Sequence, residues 1–559
     1  MVAHWVARVV LFAIGLSAQS QQRGATPSPA PLQSYRIAGV VVDSVSGGPI
    51  PSATVAIAPT TDRSGDATRA VTTSADGRFA FSGLKPGKYS LMASARGFGL
   101  QYFERHDAYS TAVAVGPDLE SERLVFRMEP EASIEGQVTD DNNDPVQNAL
   151  VRLFQKRPEN GQVFPANQSQ TDDQGRFRIG HLEPGAYYLT VAARPWYAQN
   201  DRRAMQRLKS EPDAQARVAQ EAAALDVTYP LTFYPDSPDS SDANPIVLHP
   251  GERATTDIVM HPVPAIHLRI RTGAAGNTAS TTGGTNVPRV SQRLFDGYVD
   301  PVFNAPVAVE PGEVEIMGLA PGHYIVEMTA SGPVNEKASR GWYQEIDLAG
   351  DAELNAESTS GFATVTGTVF FQDADAVPRN SSIVLSNPTS GETFNAAISD
   401  KGQVDFGADA IKQGRYNVLL GGSQRFSISR LTATGAKMIG RTLEISAAGN
   451  VRITCVAARG LGQVDGVVLR NGEPFAGAMV VLVPQDSGHN GPLFRRDQSD
   501  SDGTFTLPDV VPGAYTVIAL AHGWELEWGN PAVLQPYLKG GEAVRVAGDA
   551  KLQVKVQLQ

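Results

Sequence analysis

Apolar and polar residues alternate in short bursts along most of this chain, and the bursts recur in a fixed order. One copy is Asp76-Gly77-Arg78-Phe79-Ala80-Phe81, then Gly83-Leu84, Pro86-Gly87 and Tyr89-Ser90-Leu91. Close copies run from Gln174-Gly175 through Pro184-Gly185 to Leu189, and from Asp502-Gly503 through Pro512-Gly513 to Val517. A weaker one runs from Pro311-Gly312 through Pro321-Gly322 to Val326. In all four the Pro-Gly glycine lies ten residues after the first glycine. A fixed internal spacing decides architecture before any single element does. Period-two alternation puts Phe79 and Phe81 on one strand face, and Tyr89 and Leu91 on one face of the next. The first glycine marks a tight turn, and Pro86-Gly87 fits the centre of a type II turn. Each copy therefore reads as a hairpin with one apolar face, which needs further strands to be stable.

Those further strands surround each copy. In the first unit, residues 35–130, Ile37 to Asp43 and Ala53 to Ile57 precede the repeat, and Val113 to Val115 and Leu124 to Met128 follow it. That makes about seven strands in just under a hundred residues, the count of a compact sandwich. The order returns in residues 131–262, 263–360, 361–460 and 461–559. The second unit carries an insertion at 201–225, rich in Arg, Gln, Glu and Ala and without strand alternation, which reads as a polar surface helix or two. Gly273 to Asn286 reads as a loop. In the fourth unit the repeat is degenerate, with Gly402 and Gly414 twelve apart and Gln413 in place of the proline. The expectation is an all-β tandem array of about five seven-stranded Greek-key sandwiches, each closing its own core, with a small helical insertion in the second.

Composition supports a folded chain of several domains: 559 residues, 42% hydrophobic, 54 Gly and 37 Pro. The net charge of -12 argues against a nucleic-acid partner, which needs a basic surface. The single Cys455 excludes an internal disulfide framework and reads as a buried strand residue. His4 and Arg8 precede the apolar run Val9 to Leu16, with small residues at Ala18 and Ser20, so residues 1–20 read as a secretory signal and 21–34 as a linker. No later stretch approaches the roughly 20 apolar residues of a membrane span. The address expected is the periplasm, the outer-membrane surface or the extracellular space of a bacterium.

The pattern resembles the carboxypeptidase regulatory-like domain, a transthyretin-like (prealbumin-like) sandwich of the carbohydrate-binding-like fold group. The residues that carry it are Ile37-x-Gly39-x-Val41, Pro49 to Ala53, and Asp76-Gly77-x-Phe79-x-Phe81-x-x-Leu84-x-Pro86-Gly87-x-Tyr89-x-Leu91. The match is good in units one, two and five, fair in three and poor in four. The resemblance implies the fold and an accessory role; it does not name a ligand.

Catalytic chemistry finds little support. The nine histidines are scattered, and no His-Glu-x-x-His zinc motif occurs. No nucleophile elbow or phosphate loop occurs. Catalytic residues, a metal and cofactors are therefore not expected. Asp500, Asp502 and Asp509 imitate a calcium loop weakly, but Gly503 is also the repeat's turn glycine. Aromatic residues follow the Tyr-x-Leu strand in several units: Trp196 and Tyr197, Trp342 and Tyr343, Trp524 and Trp528. Equivalent positions would set them at one end of each sandwich, as platforms for a sugar or an apolar side chain or as minor core. If the stretch after Ala521-His522-Gly523 is extended, Trp524 and Trp528 share a face. The expected function is a non-catalytic envelope or secreted array that binds a glycan or an extracellular protein. Its rivals are a spacer with no ligand, and an accessory part of a peptidase or outer-membrane transporter.

Overall fold

A computed structural model describes residues 34–559 except 62–66, 158–160, 199–224, 272–287, 296–297, 303–306, 311, 330–340, 357–361, 373, 408–410 and 423–425. The expected leader and nearly all of the linker, the expected helical insertion except its last residue, and the Gly273 to Asn286 loop lie outside the described residues. The rest is built almost wholly of short strands.

One plan recurs five times. The opening strand (Tyr35–Asp43, Ala132–Asp140, Ile266–Arg271, Phe362–Phe371, Gly462–Arg470) lies inside a sheet. On one side it pairs antiparallel with the strand that follows the turn glycine, as Gly39 with Phe79. On the other it pairs parallel with the unit's closing segment, as Val40 with Val125, Val138 with Ile258, Arg269 with Glu353, Val365 with Val451 and Gly466 with Val554. The facing sheet is centred on the second strand (Thr54–Pro59, Leu150–Lys156, Arg289–Leu294, Ser382–Ser386, Met479–Pro484). Unit four keeps this plan despite its degenerate repeat and adds Phe426–Thr434 beside its closing strand. Five clusters of buried side chains fill the five sandwiches, one in each.

The repeat is not a hairpin. Arg78–Leu84 pairs with the opening strand, whereas Gly87–Ala95 pairs with Thr54–Pro59 in the other sheet. Pro86-Gly87 is thus a corner between sheets. Phe79, Phe81 and Leu84 face Tyr89 and Leu91 across the core, all of them buried. Gly87 has φ 149° and Gly185 φ 150°, far from the φ near +80° of a type II turn. Period-two alternation buries one face of a strand and is silent on which neighbour it pairs with.

Two polar devices recur with the corners. In every unit a tyrosine hydroxyl donates to the carbonyl four residues upstream: Tyr89 to Lys85, Tyr187 to Glu183, Tyr324 to Ala320, Tyr416 to Lys412 and Tyr515 to Val511, at 2.6 to 3.0 Å. Burial pushes Tyr187, Tyr324 and Tyr416 up to about 12. In units one, two and five a hydroxyl four residues before the turn glycine ties down the second strand's entry. Thr73 accepts from the Ala53 amide and donates to the Ile50 carbonyl, with Thr171 and Ser499 in the same role.

Unit five departs in one respect. Three short turns, Gly523–Glu525, Pro531–Leu534 and Leu538–Gly540, lie against the outer face of its second sheet. Met479–Pro484 is consequently buried on both faces, which accounts for its unbroken apolar sequence. The stretch after His522 is a tight turn rather than an extended segment, so the expected shared face of Trp524 and Trp528 has no strand to carry it.

Candidate functional site

The candidate site is a cleft of about 640 Å³ between units two and three. Its unit-two wall is the turn after the opening strand, followed by the chain beyond Gly185–Ala192. Asp140 organises that turn by accepting the amides of Asn142 and Asp144, both at 2.9 Å. Asn148, at φ 58°, then enters the second strand. Val191 is the last fully buried residue of its strand, and beyond it the chain leaves the core through Arg194 and Pro195 to Trp196 and Tyr197.

Trp196 stands at the mouth of the cleft and is 86% exposed. Its indole meets the Tyr197 ring edge-on at 5.7 Å. Burial and then the charge of Asp140 hold the Tyr197 and Tyr229 phenols above their ordinary range. Both hydroxyls stay neutral and able to donate at any physiological pH. Among the described residues, Asp140, Asp144 and Asp173 line the cleft with one rim cation, Arg194, and Gln147, Asn148 and Gln292 add neutral amides.

The floor is the junction of the two units. Arg152, 8% exposed, forks onto Asp300, 5% exposed, in a two-pronged ion pair. The Phe295 ring from unit three lies 5.1 to 5.5 Å from Tyr188, Phe233 and Phe154 of unit two. A paired buried charge and a packed aromatic cluster both resist relative movement, so the two walls are held at fixed separation. The site offers a flat aromatic face, neutral amides, the Tyr229 phenol and acceptor carboxylates. Such a set suits recognition of a hydroxylated ligand. Among the described residues it holds no paired nucleophile and base.

The other sequence candidates go elsewhere. Trp342 is 3% exposed in the core of unit three and offers no face to a ligand. Tyr343 lies at the junction of units three and four, its hydroxyl donating to Glu345, with the Lys412 ammonium 5.2 Å above its ring and Phe362 at 6.3 Å. Trp524 and Trp528 are partly buried against unit five. The Trp524 indole N–H donates to the Gly477 carbonyl at 3.2 Å, and Trp528 lies 4.5 Å from the Arg496 guanidinium. Asp500 and Asp502 both approach the Lys88 ammonium, which stands where a cation would, Asp502 also takes the Thr504 hydroxyl, and Asp509 offers only its backbone carbonyl, to Arg495. No group of three or more His, Cys, Asp or Glu is placed to hold a metal among the described residues. Cys455 is fully buried on Gly449–Arg459, and burial raises its thiol to about 12. Sequence reasoning missed Tyr229, Asn148 and the Arg152–Asp300 floor. Their positions in the sequence carry no signal, because the cleft is made by two units meeting.

No curated protein matches the chain. Among solved structures, the Bacillus anthracis TIE protein is 12% identical over 73% of this chain and 68% of its own, with a TM-score of 0.17. The Streptococcal ancillary pilin is 12% identical over 53% of this chain and 99% of its own, at 0.19. The shaft pilin SpaA from Lactobacillus rhamnosus GG is 8% identical over 41% and 98%, at 0.20. At such scores neither an arrangement of units nor a function carries over. The family comparison is specific: residues 36–128, 133–219 and 463–559 each match the carboxypeptidase regulatory-like domain. These are the units whose turn glycine, Pro-Gly corner, corner tyrosine and hydroxyl tie are all present. The chain thus carries three carboxypeptidase regulatory-like domains, as its first, second and fifth units.

Proposed function

We propose that this is an exported, non-catalytic multi-domain protein that binds a glycan in the cleft between its second and third units. The observation that carries the reading is Trp196, a large aromatic face left 86% exposed at the mouth of a polar cleft. An indole so exposed sacrifices its own burial, and stacking on a sugar ring recovers that loss. The Asn148, Gln147 and Gln292 amides and the Tyr229 phenol supply hydrogen bonds to ring hydroxyls. With three carboxylates against Arg194, the rim disfavours anionic sugars, so the ligand class is neutral glycans.

The test is a glycan array probed with the full chain and with Trp196→Ala. The expected result is a defined neutral-glycan signal that Trp196→Ala weakens by roughly 5- to 150-fold, on the scale of one stacked ring. A wild-type chain that binds no arrayed glycan, or a signal unaffected by Trp196→Ala, rejects the reading.

A further inference from the structure

The first and last domains, at opposite ends of the chain, meet along a continuous face. Lys88 of unit one reaches the Asp500 carboxylate at 2.5 Å and the Thr504 hydroxyl at 2.6 Å, with Asp502 at 3.9 Å. The Asp500 carboxylate also accepts the Ala112 amide at 2.9 Å. The Ser501 amide donates to the Ala112 carbonyl at 3.0 Å, and the Ser501 hydroxyl accepts the Ala114 amide at 2.8 Å. Gln498 donates to the Glu104 carbonyl at 2.7 Å and to the Thr111 hydroxyl at 2.8 Å. Beside these, Arg496 pairs with Asp107 and sits among the rings of Trp528, Tyr109 and Trp524 at 4.5, 4.7 and 5.6 Å. His106 lies flat on Trp524 at 4.8 Å.

Both faces are built for this contact. Thr111 and Gln498 are each 1% exposed, and both are polar residues whose buried groups find partners across the junction. Ala112, Val113, Ala114 and Val115 are all buried, although alternation lets only every second one face its own core. Trp524, read in the sequence as a ligand platform, meets His106 and Tyr109 of unit one and, with Trp528, the Arg496 cation.

The remaining neighbours also touch. Arg105 reaches Glu183, Arg152 reaches Asp300, Lys412 reaches Glu327, and the Arg441 amide donates to the His489 carbonyl. The meeting of units one and five therefore closes a circuit of five. We propose that this junction is a releasable latch: unit five presents a docking surface for unit one of the same chain, and its engagement turns a row of domains into a closed ring. The latch is polar where the domain cores are apolar. Arg496, which meets Asp107 and Tyr109 of unit one, is left with its Nε and Nη1 buried without acceptors among the described residues, a cost that weakens closure against the cores. Opening therefore precedes unfolding. A ring is no spacer, because its ends are held together.

Two measurements on the full chain test this. In Ala112→Cys/Ser501→Cys, the backbone hydrogen bond between the two positions brings their chains within disulfide reach. Cys455, fully buried, does not compete. Oxidation should give an intramolecular crosslink at every protein concentration. No crosslink, or ladders of linked chains that grow with concentration, overturns closure within one chain. Small-angle scattering should show a larger radius of gyration for Lys88→Glu at unchanged circular dichroism, and the wild-type value for the conservative Lys88→Arg. Scattering that Lys88→Glu leaves unchanged overturns release.

Discussion

The corner tyrosine is the most regular side chain in the molecule, because its ring fills the core while its hydroxyl satisfies a corner carbonyl. Tyr187→Phe keeps the ring and leaves the Glu183 carbonyl without its donor. The expected cost is about 1 kcal/mol, the net value of one hydrogen bond, read from chemical denaturation of the full chain. Tyr416→Phe should cost the same in unit four, whose repeat is degenerate but whose tyrosine bond is intact. A second residue sets a pH dependence. Burial pushes Asp497 up to about 6, against 3.8 when free. The folded chain then holds a proton there that the unfolded chain releases. The stability this contributes is full below about pH 4 and is lost as pH rises through 6. Asp497→Asn should flatten that part of the stability curve between about pH 4 and 6, measured by denaturation against wild type.

Between elements, the contact that defines each unit is the parallel pairing of its opening and closing segments. In units one and two a glycine stands where the closing backbone passes closest. A Cβ on Gly136 would lie 1.8 Å from the Thr256 carbonyl oxygen, and one on Gly39 would lie 2.3 Å from that of Leu124. Gly136→Val should therefore cost about 3 kcal/mol, at the upper end of overpacking, and speed hydrogen exchange in Ala132–Asp140 and Ile258–Met260 ahead of the other units. This glycine was visible in the sequence, between Glu135 and Gln137 of an alternating strand. Its reason was not, since the carbonyl it admits lies 120 residues further on.

At the scale of the whole molecule, the units are not independent beads. Phe295 inserts among Phe154, Tyr188 and Phe233, so units two and three share an aromatic cluster outside either core. Phe295→Ala should remove roughly 2 kcal/mol of coupling, taking about 0.5–1.5 kcal/mol for each ring pair. Calorimetry should then separate the unfolding of units two and three, and glycan binding should fall although no residue exposed at the cleft mouth has changed. A single unaltered transition would show that the cluster does not couple them. The cleft and the latch belong to this scale, since each exists only where two units meet.

What the sequence alone determined follows from forces that act over a few residues. Alternation sets which face of each strand is buried. Glycine and proline mark the turns, and the order of strands around Phe79 or Phe177 repeats because each copy must bury the same face. The family resemblance of units one, two and five rests on those same local residues. Tertiary structure alone decided where each strand went and what each exposed ring was for. Arg78–Leu84 and Gly87–Ala95 carry the alternation of a hairpin yet join opposite sheets. Trp196, Trp342 and Trp524 follow equivalent strands yet end at a cleft mouth, in a core and at an interdomain junction. A ring is buried or left bare by what packs against it. For these tryptophans the deciding partners, Asp300, Tyr324 or His106, lie from about twenty to several hundred residues away along the chain, beyond the range over which a local pattern carries information.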